Sequence, residues 1–296
     1  MQNIGCLNCV LAVIAFCGWQ SLAKADYVTF GSKWGDPTLG TPSDTITWTF
    51  MGDGTVLDST NNTFLPAGLN SLTSGISGLR TSFDSLNGGT GAFDAAIQRA
   101  FNTWSQAAAV TFQFVASDTG APAAVNSNLL SSQVDIRIGA FQFAGTPFAG
   151  SGAVGYGPPG NDLSTTFRDA LAGDIYINLD SAFFIAPGVE DDIFYTGGAY
   201  TNDLEGLMLH ELGHAAIGLG HPASGPGDVM YVDGGLTNCC NFVNRQLSAD
   251  DIAGARVVYG VPEPGAGWLA MGVIVCVFAR MRRTPKTVKL AYAYVR

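Results

Sequence analysis

The chain has 296 residues, with 14 Lys and Arg against 24 Asp and Glu, three His, and a formal net charge of −10. That acidity excludes a nucleic-acid binder, which carries a basic face, and 11% aromatic within 47% hydrophobic residues excludes a disordered acidic chain. The length allows a sizeable core, as one large domain or two smaller ones.

The charge is unevenly placed. Between Asp26 and Glu263 lie 7 basic and all 24 acidic residues, a net of −17, while the C-terminal end is basic. Residues 1–25 read as a secretory signal peptide. The apolar run CVLAVIAFCGW at 9–19 precedes Ala23-Lys24-Ala25, a small-x-small cleavage pattern that puts the mature start at Asp26. The n-region, Met1-Gln2-Asn3, lacks the usual Lys or Arg. Cys6, Cys9 and Cys17 fall in this segment and Cys276 in the tail. The adjacent pair Cys239-Cys240 is left in the domain, open to a vicinal disulfide, an interchain bridge or free thiols; there is no disulfide framework.

Residues 26–44 are rich in Gly and Pro and read as an irregular lead-in. Residues 45–50 (TITWTF) alternate and predict a strand. Residues 52–91, mostly Gly, Ser, Thr and Asn, predict loops. Over 92–109, Phe93, Ile97, Phe101, Trp104 and Ala108 recur at helical spacing. Strands are expected at 110–115, 134–138 (VDIRI) and 174–178 (DIYIN), with a short extended piece at 154–156. A helix is expected over 201–217, with Asn202 as its cap and Glu205 at N3. Another is expected over 248–259, with Ser248 as N-cap, Asp251 at N3 and Leu247 stapled to Ile252. This order makes residues 26–260 an α+β domain.

Residues 261–296 begin Val-Pro-Glu-Pro, continue with a mostly apolar stretch at 265–279, and reach Arg280-Met281-Arg282-Arg283. The apolar stretch is short for a spanning helix, which needs roughly 20 residues, and the basic cluster suits the cytoplasmic side. The order resembles the PEP-CTERM sorting signal of Gram-negative bacteria. That resemblance implies recognition by an exosortase, transient anchoring in the membrane, and delivery to the cell surface or an exopolysaccharide matrix. Thirteen further residues, 284–296, extend beyond the usual end of such tails.

All three histidines lie in one stretch of twelve residues, His210-Glu211-Leu212-Gly213-His214-Ala215-Ala216-Ile217-Gly218-Leu219-Gly220-His221. On a helix, His210 and His214 are one turn apart on one face and can reach the same ion. Glu211 starts beside that face and can act on a zinc-activated water without ligating. Gly218 and Gly220 let the chain turn back and bring His221 to a third position. A fourth position stays open, as a catalytic zinc site requires.

These residues resemble the metzincin metallopeptidases and, among them, the matrixins. Asp228-Val229-Met230-Tyr231 is similar to the matrixin Met-turn, with Met230 beneath the metal. Residues 247–260 (LSADDIAGARVVYG) resemble the closing helix, and 92–115 the first helix and following strand. Residues 134–138 look like the strand before the edge strand. Residues 152–160 look like the edge strand that pairs with substrate, and 173–180 (GDIYINLD) like the strand before the active-site helix. The resemblance spans about 45–260. It implies a twisted mixed sheet with an active-site helix and a C-terminal helix.

Four departures stand out. The family spacing is HExxHxxGxxH, and here one extra residue lies between His214 and Gly218. It advances the helix by about 100° and 1.5 Å unless a π-type bulge absorbs it; His221 is the expected third ligand and Asp228 the alternative. Tyr176 stands where vertebrate matrixins have a histidine for a structural zinc, so that zinc is not expected, and Asp174, Asn178 and Asp180 are candidates for Ca²⁺. A latency cysteine is not expected. Val232 stands where a proline usually follows the Met-turn.

The resemblance implies a zinc-dependent endopeptidase acting on a protein or peptide, with Glu211 as general base. The alternatives are a non-catalytic metzincin-fold protein of the surface or exopolysaccharide matrix, and an amidase acting on cell-wall peptides.

Overall fold

The computed structural model describes residues 25–58, 69, 72–124, 134–160, 171–185, 195–196, 199–200, 202–223, 227–231 and 243–262. The signal segment, Val232, Cys239-Cys240 and the tail from 263 onward lie outside the described residues. Among the described residues, no helix is long and apolar enough to cross a membrane.

The centre is a five-stranded mixed sheet. It contains β2 (Thr45–Phe50), β3 (Thr111–Phe114), β4 (Ile136–Phe141), β5 (Ala153–Gly155) and β6 (Asp174–Asn178), in the order β3-β2-β4-β6-β5. All pairs are parallel except β5 with β6, which is antiparallel, with Val154 opposite Tyr176. β4 and β6 are buried along their whole length, as parallel strands covered on both faces must be. Short β1 (Val28–Thr29) precedes the sheet. The small pairs β7 (Phe183–Phe184) with β10 (Asn202–Asp203), and β8 (Tyr195–Thr196) with β9 (Ala199–Tyr200), lie outside it.

The expected helix at 92–109 is α2 (Ala92–Ala107), which follows α1 (Ile76–Leu86). Its Phe93, Ile97, Phe101 and Trp104 are buried in the core, where Trp48 of β2 stacks on Phe101 with 4.4 Å between ring centroids. Trp104 Nε1 donates to the Leu209 carbonyl at 2.9 Å and so holds the active-site helix one residue before His210.

α1 lies in the stretch expected to be loops. Ile76, Leu79 and Phe83 are buried on one face of it, and Phe83 meets Phe93 edge-on at 5.7 Å. Its Asp84 carboxylate accepts the Phe93 and Gly91 amides at 2.8 and 2.9 Å. It thereby caps α2, whose own N-cap is the left-handed Gly91 with no side chain to offer. Those bonds, the Phe93 amide first, hold the Asp84 carboxyl below its usual range.

The helix expected over 201–217 begins later. α3 is Leu204–Leu212, and its N-cap is Asp203, not Asn202. Asn202 sits in β10, paired with Phe183. Asp203 accepts the Gly206 amide at 2.9 Å and pairs with Arg245 across the domain, which an asparagine could not do as an ion pair. The last helix, α4 (Ala249–Tyr259), starts as expected with a complete capping box of Ser248 and Asp251.

Candidate metal centre

α3 does not continue as α-helix to Ile217. From Gly213 to Ile217 it widens into a π-turn, which ends at Gly218 in a left-handed conformation (φ 80°). A π-turn spans one residue more between its bonded groups than the α-helix does, so it takes up the one extra residue between His214 and Gly218. The chain then returns as β11 (Leu219–Gly220), which pairs antiparallel with β1, Val28 opposite Gly220 and Thr29 opposite Leu219. The lead-in, expected to be wholly irregular, thus contributes a strand beside the metal centre. Phe30 adds a ring stacked on His214 at 5.9 Å.

The outcome is convergence of the three histidines. Their Nε2 atoms are separated by 3.2 Å (His210 to His214), 3.2 Å (His210 to His221) and 2.8 Å (His214 to His221). Three imidazole nitrogens bound tetrahedrally to one zinc, each about 2.0–2.1 Å away, are about 3.3–3.4 Å apart, so this set needs little adjustment to hold that ion. Among the described residues, no other cluster of three or more His, Cys, Asp or Glu is arranged to hold a metal ion. Asp228, the alternative third ligand, is not part of it.

The outer hydrogen bonds explain why the nitrogens face inward. His210 Nδ1 lies 2.6 Å from the Val229 carbonyl, and His214 Nδ1 lies 2.7 Å from the Leu219 carbonyl. A carbonyl only accepts, so each Nδ1 carries the proton and each Nε2 keeps its lone pair. Two such lone pairs 3.2 Å apart repel unless a cation stands between them, and the chemistry of this donor set therefore fits a zinc ion. Val229 is itself fixed, because its amide and that of Met230 donate to the Asp251 carboxylate at 2.9 and 3.2 Å. One carboxylate thus completes the cap of α4 and holds the Met-turn that orients His210.

Burial keeps the imidazoles neutral. It is the main cause that pushes His210 down to about 4, with the neighbouring His221 adding to it, and it drives His214 well below its usual value. His221 is more exposed and is lowered by the same cause. Between pH 6.5 and about 4 the unfolded chain binds a proton that folded His210 refuses, so stability is present above 6.5 and is lost as pH falls. In the metal-free protein His214 and His221, whose values are also lowered, add to this loss. Urea unfolding at pH 7 and pH 5 checks this: His210→Gln should lessen the loss of stability without abolishing it, and an unchanged loss would contradict it.

Glu211 is buried, 3% exposed, and lies against the edge strand. A Cβ on Gly155 of β5 would sit 2.9 Å from Glu211 Oε2 and 2.7 Å from its backbone oxygen. Both approaches are closer than real contacts permit, so Gly155→Ala is expected to displace the carboxylate and cost about 1–3 kcal/mol of stability. Cleavage assays with zinc analysis check it: activity should fall with zinc retained, and full activity would contradict the placement. Met230 is buried beneath the helix, where Gly213 gives it room; a Cβ on Gly213 would overlap the Met230 sulfur.

The three residues expected to bind Ca²⁺ are not brought together. Asp174 and Asn178 stand at opposite ends of β6, about 13 Å apart at strand rise. The Asp174 carboxylate accepts the Tyr176 hydroxyl at 2.7 Å, and burial pushes it up to about 7 against the pull of Arg137. Asn178 donates to the Ser151 carbonyl at 2.8 Å and accepts the Asp180 amide at 2.9 Å. Asp180 accepts the amides of Phe143 and Ala144 at 2.8 and 2.7 Å. These oxygens accept the protein's own donors. Tyr176 lies in a second core with Phe141, Phe143 and Tyr156.

Fold and centre together define an α+β domain in which α3, its π-turn and the chain returning through β11 bring three histidines to one metal position beside a buried glutamate. The matrixin family model matches residues 82–260, more than half of the chain. The chain belongs to the matrixins, a family of zinc-dependent metallopeptidases. No curated protein matches it.

Proposed function

We propose that this chain is an exported zinc-dependent endopeptidase, with His210, His214 and His221 as metal ligands and Glu211 as general base. One observation carries the reading: three Nε2 atoms converge within 3.2 Å, with the protons of His210 and His214 turned away to backbone carbonyls. Zinc, when bound there, polarises a scissile carbonyl and makes water a competent nucleophile near neutral pH. A substrate segment extends antiparallel along β5, with main-chain bonds for affinity and pockets for specificity. Glu211, pressed against Gly155 of that strand, takes the proton of the attacking water and passes it to the leaving amine. Met230 supports the ligands from below and binds nothing itself.

Export belongs to the same proposal. Signal peptidase removes residues 1–25, and an exosortase recognises residues 261–296, which hold the protein transiently in the membrane of a Gram-negative cell before it reaches the surface or its exopolysaccharide. The Asp26 amide lies 2.7 Å from Asp250 Oδ1, so a cut after Ala25 would turn that hydrogen bond into an ion pair with the new N-terminal ammonium.

The purified protein is expected to carry one zinc per chain and to cleave casein in a chelator-sensitive way. Zinc without cleavage of any peptide would favour the non-catalytic surface protein. Cleavage confined to cell-wall peptides would favour an amidase. Absence of zinc would overturn the reading.

A further inference from the structure

The π-turn is held by two side chains from far along the chain. Trp34 Nε1 donates to the Ala215 carbonyl at 2.9 Å, and the Tyr259 hydroxyl donates to the Ala216 carbonyl at 2.8 Å. The two are themselves joined, since the Trp34 amide donates to the Tyr259 oxygen at 3.0 Å. Next along the chain, the Gly218 carbonyl accepts the Phe30 amide at 2.8 Å. Ala215, Ala216 and Tyr259 are fully buried, so water cannot supply these bonds. A helix end leaves its last carbonyls without intrahelical donors, and a buried carbonyl without a donor costs about 1–3 kcal/mol.

These bonds fall on the turn that sets the position of His221. His214 opens the inserted stretch, and Ala215 and Ala216 lie within it, between His214 and Gly218. If the stretch wound as regular α-helix, the following chain would be rotated by about 100° and shifted by about 1.5 Å. His221 would then miss the position where His210 and His214 meet. We propose that Trp34 and Tyr259 are positioning residues that hold the π-turn by its carbonyls, and so compensate the extra residue and keep His221 at the metal. The inference rests on the zinc-binding reading of the three histidines.

The test uses Trp34→Phe, Tyr259→Phe and the double variant in the full chain, measuring the zinc Kd by chelator competition, the spectrum of the Co²⁺-substituted protein, and Tm with and without metal. Phe83→Leu in α1 serves as the control for general loss of stability. Tyr259→Phe is expected to weaken zinc about tenfold or more, in the range seen when a group orienting a ligand is lost, and to alter the Co²⁺ spectrum. Phe83→Leu should lower Tm with the zinc Kd unchanged. If the double variant does not fold, the single variants still decide. Deleting Ala216, which restores the family spacing, should make the zinc Kd insensitive to Tyr259→Phe. A zinc Kd within twofold of wild type in both Phe variants, or an equal loss in Phe83→Leu, would overturn the inference. Failure of wild type to bind zinc would instead refute the proposed function itself.

Discussion

Glu211→Ala is expected to reduce peptide-bond cleavage by about 10²–10⁴-fold, the usual contribution of a positioned general base, while zinc stays at one per chain. The separation follows from the geometry. Glu211 precedes Leu212 on α3 and is one residue from His210, so its side chain leaves the helix about 100° away from the histidine face. The metal position is defined by imidazole nitrogens alone, and His210 and His214 are oriented by the Val229 and Leu219 carbonyls. The carboxylate is enclosed by α3 and Gly155, where little solvent is at hand to substitute for it. Zinc analysis beside steady-state cleavage checks this. Retained chelator-sensitive cleavage would remove Glu211 from its role, and loss of zinc would mean that it serves the metal and not the proton transfer.

His221→Ala is expected to weaken zinc by more than about 100-fold, since losing only a partner that orients a ligand already costs about 10–100-fold. Cleavage should fall to background. The substitution is well suited to the question because His221 is exposed at the end of β11, so the core is not opened. Asp228→Ala should leave zinc and activity unchanged, since that side chain is not in the cluster. The reverse pattern, zinc lost with Asp228 and kept without His221, would show that the inserted residue has moved the third ligand.

Much of this domain could be read from local pattern. The three-histidine stretch is local, and so are the capping box at Ser248 and Asp251 and the apolar face of α2; all of them appear where their residues predict. What escaped depends on residues distant in sequence. α1 was hidden because Ile76, Leu79 and Phe83 are diluted by Ser, Gly and Thr, and only burial against α2 makes that face count. β1 is two residues long, and nothing near Val28 announces that it pairs with Leu219 and Gly220. The cap of α3 fell one residue later than expected because Asp203 serves both the helix and Arg245, and Arg245 is 42 residues away. Asp174, Asn178 and Asp180 look clustered in sequence, but Asp174 and Asn178 stand at opposite ends of β6, and each of the three side chains already accepts a protein donor. The inserted residue left two outcomes open, and the choice between them depends on donors at residues 34 and 259 that no local motif contains.

By this geometry a π-turn restores His221 to the metal despite the longer spacing. Zinc K-edge X-ray absorption on the wild-type protein tests it most directly. Three imidazole nitrogens at about 2.0–2.1 Å and one further light ligand are expected. A first shell of two imidazoles with a carboxylate in the third place would contradict it.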